Sequence, residues 1–109
     1  MKELSAKQCV PCEGSVPPLT RARATALRNQ LHKDWKIAGD AKSLRRSLKF
    51  KDFYRTMSFV NAVAHIANTE DHHPDLEVGY NYCRVTFATH SIGGLSQNDF
   101  ICAAKVDLL

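Results

Sequence analysis

The stretch of sequence that decides the fold is DFYRTMSFVNAVAHIANTEDHHP, residues 52–74. Its apolar residues recur at alternating intervals of four and three positions, which places them on one face of a helix. Asp52 is predicted to cap the first turn. Pro74 is predicted to end the helix, because the residue before a proline is pushed out of the helical region. The recurring residues are Phe53, Met57, Val60, Ala64 and Ala67.

A hairpin of two short strands is predicted on each side of this helix. Apolar and polar side chains alternate in these segments, imperfectly in the second, and alternation is the period of a β-strand. Gly39-Asp40 and Asn81-Tyr82 supply the two turns. The predicted strands are residues 35–37, 43–50, 76–80 and 83–88.

Shorter helices are predicted before the first hairpin and after the second. Thr20 offers an N-cap for the first helix, which extends to about His32, and Ser96 offers one for the last. The element order is therefore α-β-β-α-β-β-α. Two hairpins separated by a helix favour a single α+β domain, with a four-stranded antiparallel sheet and its helices packed on one face.

The N-terminal segment differs from the rest of the chain. Residues 1–19 contain prolines and lack periodicity, so they are predicted to form a loosely ordered arm before a domain over residues 20–109. Cys9 and Cys12 have the spacing of half a zinc site. No second pair lies at a suitable spacing, so we expect no metal.

The composition is that of one globular domain, with 109 residues of which 44% are hydrophobic and 24% charged. The net charge of +4 is divided unequally: residues 1–55 carry thirteen basic and five acidic side chains, and residues 56–109 carry two and six. We expect the two halves to fold against each other, and no nucleic acid as partner. No apolar run approaches the ~20 residues of a membrane helix, and no signal peptide is evident, so a cytoplasmic protein without membrane contact is expected.

The candidate chemistry lies where the long helix meets the third strand. His72 and His73 are adjacent there, and histidine can donate and accept protons near neutral pH. His90 follows the fourth strand, and Asp99, near the start of the last helix, is placed to orient one imidazole. Neighbouring histidines fit a metal site poorly, because ligand pairs normally lie four apart on a helix or two apart on a strand. The residues alone leave an acid–base site and a set of polar loop residues equally open.

Three short motifs around these residues carry a resemblance to a known family. They are Asp71-His72-His73-Pro74, Thr89-His90, and Gly94-Leu95-Ser96 followed by Asp99-Phe100. They resemble the pterin-4a-carbinolamine dehydratase family, and the resemblance covers about residues 20–108. One departure is Asn68, four positions before His72, where family members often have a carboxylate.

The resemblance implies both a reaction and an assembly. The family dehydrates 4a-hydroxytetrahydropterin, the product of aromatic amino acid hydroxylases, to quinonoid dihydropterin and water. It assembles as dimers or tetramers, so a homodimer or homotetramer is expected, and functional coupling to a hydroxylase is possible. The reaction needs no metal, nucleotide or covalent intermediate, so we expect no cofactor.

The resemblance also assigns candidate roles to residues of this chain. It implies that His72, His73 and His90 are the acid–base groups, with Asp99 as their support. It places Asp71 and Thr89 beside the pterin ring. We expect His73 to act as general base, and His72 and His90 to act as acids towards the two faces of C4a.

A non-enzymatic role is the alternative. Some relatives bind the dimerisation helices of a transcription factor, and others serve as assembly chaperones. Such relatives are expected to lose active-site histidines. His72, His73 and His90 are all present here, which favours the enzyme.

Overall fold

The computed structural model describes residues 3–11, 14 and 16–109. In this part of the chain, three α-helices and four β-strands follow the predicted order. The helices are α1 (Arg21–Arg28), α2 (Phe53–Glu70) and α3 (Gln97–Val106). The strands are β1 (Lys36–Ile37), β2 (Leu44–Lys49), β3 (Asp75–Val78) and β4 (Tyr82–Phe87). Short 3₁₀ turns lie at Leu4–Ala6 and His90–Ile92.

The four strands form one antiparallel sheet, as predicted, in the order β1-β2-β4-β3. Strand β4 joins the two hairpins by pairing with β2, which sets Phe87 opposite Leu44 and Cys83 opposite Leu48. Along β4 the side chains alternate between fully buried and partly exposed. The helices therefore cover one face of the sheet and leave the other face open, which confirms the predicted α+β architecture.

The hydrophobic core lies between the covered face of the sheet and helices α2 and α3. Trp35 is fully buried and packs against Phe87 with ring centroids 6.1 Å apart. Helix α1 ends at Arg28, about a turn before the predicted end at His32. The chain turns there because Trp35 must enter the core, and Nε of Arg28 donates a hydrogen bond to the carbonyl oxygen of Trp35 at 2.9 Å.

Arg46 is a charged residue on the covered face of the sheet. The basic residues between positions 42 and 51 are predicted from the sequence to form a solvated strand face. Arg46 lies opposite Val85 instead, and its Nη1 donates to Oδ1 of Asp107 at 2.7 Å. The indole Nε1 of Trp35 donates to the same oxygen at 2.8 Å. The ion pair compensates the charge that Arg46 brings beneath the helices.

The described residues of the N-terminal arm contact the domain. Leu4 is buried in the core, and Nζ of Lys105 on α3 donates a hydrogen bond to the carbonyl oxygen of Ser5 at 2.9 Å. The sequence predicts a loosely ordered segment here, because one leucine among polar residues produces no periodic signal. Cys12, half of the cysteine pair considered as a zinc site, lies outside the described residues. No helix in the described part of the chain has the length and apolar character to cross a membrane.

Candidate active site

The end of α2 positions His72. Asp71 adopts a left-handed conformation with φ 50° and ψ 43°, so α2 ends at Glu70. Aspartate adopts this conformation more readily than most residues. The amide of His72 then donates to the carbonyl oxygen of Ala67 at 3.1 Å, the bond typical of a Schellman helix end. The prediction that Pro74 ends the helix is therefore wrong, because the turn at Asp71 ends it first.

The His72 ring is held between a carboxylate and an aromatic side chain. Its Nε2 lies 2.6 Å from Oδ1 of Asp99, and the ring stacks on Phe87 with centroids 6.1 Å apart and planes inclined by 8°. The His72 side chain is 12% exposed, and that of Asp99 is fully buried. A short contact between an imidazole and a buried carboxylate fixes the orientation of the ring and the position of its proton.

Asp99 is held in place by the start of α3. Ser96 and Asp99 form a capping box, in which the amide of Ser96 donates to Oδ2 of Asp99 at 2.9 Å. The hydroxyl of Thr89 also donates to Oδ2, at 2.8 Å, and it lies 2.7 Å from the hydroxyl of Ser96. Two donors thus occupy Oδ2, while Oδ1 faces His72. The same carboxylate caps a helix and orients an imidazole.

His90 lies beyond Thr89, at the exit of β4. Thr89 pairs with Gly94 in an isolated β-bridge, and the loop between them contains the 3₁₀ turn at His90–Ile92. The side chain of His90 is exposed and lines a groove of about 340 Å³, to which Asp75 also contributes. Thr89 lines both this groove and the cavity that contains His72. It therefore connects the two histidine environments.

His73 contacts a side-chain amide, whereas His72 contacts a carboxylate. It is exposed, and its Nε2 lies 3.0 Å from Oδ1 of Asn68. Asn68 is the position at which the sequence departs from the family pattern, and the structure shows that its amide contacts the second histidine. The amide oxygen accepts a hydrogen bond from Nε2–H, so the neutral His73 ring keeps its lone pair on Nδ1.

A cavity of about 290 Å³ lies at the His72 side chain. Asp71 and Thr89, both predicted to lie beside a substrate, line it together with His72. The arm and α3 also line it, through Cys9, Val10, Pro11 and Asn98. None of these four residues was predicted from the sequence to line a site. Their sequence contains no signal for this placement, because the arm lacks periodicity and Asn98 stands between two residues of the capping box.

Two buried cysteines have thiol pKa values above the usual range. Sγ of Cys9 and Sγ of Cys102 are 3.5 Å apart, and this hydrogen bond, with burial, raises the pKa of the Cys102 thiol. Burial raises the pKa of the Cys83 thiol. Both Cys83 and Cys102 are therefore protonated at neutral pH and behave as core residues. Within the described residues, no group of three or more His, Cys, Asp or Glu side chains is placed to hold a metal ion.

This geometry can be compared with known proteins. A family model described as pterin 4 alpha carbinolamine dehydratase matches residues 17–109. The chain belongs to this family. The resemblance seen in the sequence motifs is confirmed.

Curated proteins of the pterin-4a-carbinolamine dehydratase family align with nearly the whole chain. A protein of Nitrosomonas eutropha is 56% identical over 107 residues, which is 98% of this chain and 93% of the relative. A protein of Legionella pneumophila is 54% identical over 107 residues, 98% of this chain and 95% of the relative. Both carry the provisional name pterin-4-alpha-carbinolamine dehydratase.

Two solved structures share the family fold. The crystal structure of a transcriptional coactivator/pterin dehydratase from Brucella melitensis is 33% identical, with a TM-score of 0.78, and the match covers 84% of this chain and 96% of that one. A pterin dehydratase-like protein, described as a RuBisCO assembly factor in the alpha-carboxysome, is 24% identical, with a TM-score of 0.62. That match covers 71% of this chain and 89% of the other, and it shows the fold alone.

Proposed function

We propose that this chain is a dehydratase that converts 4a-hydroxytetrahydropterin to quinonoid dihydropterin and water. The observation that carries the proposal is the 2.6 Å contact between Nε2 of His72 and Oδ1 of the buried Asp99, at the edge of a cavity. A buried carboxylate that orients an imidazole is an arrangement suited to proton transfer. Membership of the pterin dehydratase family supports the substrate class.

The reaction requires two proton transfers and one bond cleavage. The bond between C4a and the hydroxyl oxygen breaks, and a proton delivered to that oxygen lets it leave as water. A proton is removed from N5, and its electron pair forms the double bond between C4a and N5. One general acid and one general base on the enzyme are sufficient for these transfers.

His72 is suited to the role of the acid. Its Nε2 is committed to Asp99, so Nδ1 is the nitrogen left to exchange a proton with the leaving oxygen. The carboxylate compensates the charge that the ring carries while it holds a transferable proton. His90 is the second acid of the proposal, towards the other face of C4a. Its exposure lets it exchange protons directly with solvent.

His73 is suited to the role of the base. Its Nε2 donates to the neutral amide oxygen of Asn68, which leaves the Nδ1 lone pair for the proton from N5. Because His73 is exposed, the accepted proton can pass on to water. Asp71 and Thr89 would hold the pterin ring from the cavity wall. Together these residues account for both proton transfers of the proposed reaction without a cofactor.

The proposal includes an assembly and a cellular setting. The open face of the sheet, and the exposed pair formed by Phe53 and Tyr80 with ring centroids 6.3 Å apart, support association of copies into a homodimer or homotetramer. A cytoplasmic enzyme coupled to an aromatic amino acid hydroxylase would receive its substrate where that hydroxylase releases it.

A non-enzymatic binding role is the second candidate. It is favoured by the name of the Brucella melitensis neighbour, a transcriptional coactivator/pterin dehydratase. The dehydratase is the stronger proposal, because a pure binding module has no need of the buried hydrogen-bond network from Thr89 through Asp99 to His72.

The test of the proposed function is a coupled assay. Phenylalanine hydroxylase and its tetrahydropterin generate the carbinolamine, and its decay is followed by absorbance with and without this protein. We expect faster decay with the protein, both before and after treatment with a chelator. In the His73→Ala variant we expect the catalysed rate to fall by about 10²-fold or more. Folded wild-type protein that leaves the decay unchanged would contradict the proposal and favour the binding role.

A further inference from the structure

The cavity at His72 has a wall that comes from the N-terminal arm. Cys9, Val10 and Pro11 line it together with Asp71 and His72. These arm residues precede residue 17, where the match to the family model begins. The arm therefore adds a wall to the cavity from outside the part of the chain that the family model matches.

Two polar side chains fix the backbone of this arm segment. Asn98 forms a reciprocal pair with Val10: its Nδ2 donates to the carbonyl oxygen at 2.6 Å, and its Oδ1 accepts from the amide at 3.1 Å. Oε1 of Glu70 accepts from the amide of Cys9 at 2.7 Å. Such a pair holds both backbone polar groups of one residue, as a neighbouring β-strand would. The arm is thus tied at two consecutive residues.

Both of these side chains are neighbours in sequence of the candidate catalytic segments. Glu70 ends α2 immediately before Asp71 and His72, and Asn98 immediately precedes Asp99. The Asn98 side chain is buried at 5% exposure, so its amide depends on hydrogen bonds made within the protein. The position of the arm is therefore set by the same two chain segments that set the His72–Asp99 contact.

We infer that Val10 and Pro11 form a wall of the substrate cavity, and that Asn98 is a positioning residue that holds this wall in place. The inference rests on the proposed function and deepens it. A cavity of about 290 Å³ is at the small end of ligand sites and suits a compact bicyclic ring. The apolar side chains of Val10 and Pro11 offer such a flat ring van der Waals contact. The polar edge of the ring then faces His72 and Thr89.

The inferred wall acts on binding and not on proton transfer. Removal of the Asn98 amide removes two hydrogen bonds from the backbone of Val10, but it leaves the contacts of His72 and of Asp99 Oδ2 in place. Contacts that are equally strong in the ground state and the transition state change KM and leave kcat unaltered. We therefore expect the Asn98→Ala variant to raise KM for the carbinolamine about tenfold and to keep kcat within about twofold.

The test is steady-state kinetics of the full chain with Asn98→Ala and Asn98→Asp in the coupled assay. The aspartate is isosteric, is favoured at the start of α3 by the helix dipole, and repels the carbonyl oxygen of Val10. It therefore serves if the alanine variant fails to fold. The control is Lys105→Met, which removes the bond to Ser5 at the other end of the arm, away from the cavity, and is expected to leave KM unchanged.

The outcomes separate this inference from the proposed function. A raised KM with unchanged kcat in a folded Asn98 variant supports the wall. An unchanged KM in both variants overturns it, and so does a fall in kcat alone, since that result would mean that Asn98 acts through Asp99. If the wild-type chain itself does not accelerate the decay, the proposed function fails, and the inference fails with it.

Discussion

The His72→Ala variant is expected to lose turnover of the carbinolamine by about 10²–10⁴-fold. In the proposed reaction the imidazole supplies the proton that reaches the leaving oxygen, and alanine provides no replacement. The loss should appear in kcat, because the proton is needed in the transition state and not for binding. The measurement is the initial rate in the coupled assay at saturating carbinolamine.

Two further variants make this result specific. His72→Gln keeps much of the side-chain volume stacked on Phe87 and should lose activity to a similar extent, which separates chemistry from packing. His65→Ala removes an exposed histidine from α2, the helix that precedes His72, and is expected to keep full activity. A His72→Ala variant that is folded and retains more than half of the wild-type kcat would remove His72 from the mechanism.

The Asp99→Asn variant is expected to lower kcat by about 10²–10³-fold while the chain stays folded. The carboxylate accepts hydrogen bonds on both oxygens, from His72 at Oδ1 and from Ser96 and Thr89 at Oδ2. Asparagine has one acceptor oxygen. If that oxygen keeps the helix cap, its NH₂ group faces Nε2 of His72 and imposes the opposite tautomer.

The pH dependence of kcat distinguishes this effect from simple destabilisation. A tautomer imposed on His72 should change the shape of the pH–rate profile, whereas partial unfolding would scale the whole profile down. Asp107→Asn is the matched control. Asp107 directly follows α3, its side chain is 17% exposed, and it accepts several hydrogen bonds, but it lies at the far end of the helix from Asp99. Equal losses in the two variants would contradict the role assigned to Asp99.

Much of the fold could be predicted because its strongest signals are local. The alternation of β4 follows the buried face of that strand. The four-three spacing correctly indicated α2, but it misplaced the buried face: Phe53 and Ala64 of the predicted stripe are exposed. The residues that α2 buries are Thr56, Phe59, Val63 and Ala67. Strand β2 was less clear in the sequence, because Arg46 occupies a buried position in its alternation. Its partner Asp107 lies 61 residues away, and no local pattern reveals such a pair. The end of α2 was misplaced because the left-handed turn at Asp71 is not required by its residue type.

The site was predictable in part for the same reason. His72, Asp99 and Thr89 stand in short motifs, and the structure brings these three together. The contact between Asn68 and His73 was not predicted, since it spans the helix end and depends on the turn at Asp71. The wall contributed by the arm was missed altogether, because it rests on hydrogen bonds between residues about 90 positions apart.

We propose that a pterin binds among His72, His73 and His90. The most direct measurement is the imidazole NMR spectrum of nitrogen-15-labelled protein during titration with a stable dihydropterin. The chain contains five histidines, and His32 and His65, which take no part in the proposed reaction, serve as internal controls. We predict that the signals of His72, His73 and His90 shift and saturate together while those of His32 and His65 stay in place. If the signals of His72, His73 and His90 do not shift at saturating ligand, or if the signals of all five histidines shift equally, pterin binding at these three residues is contradicted.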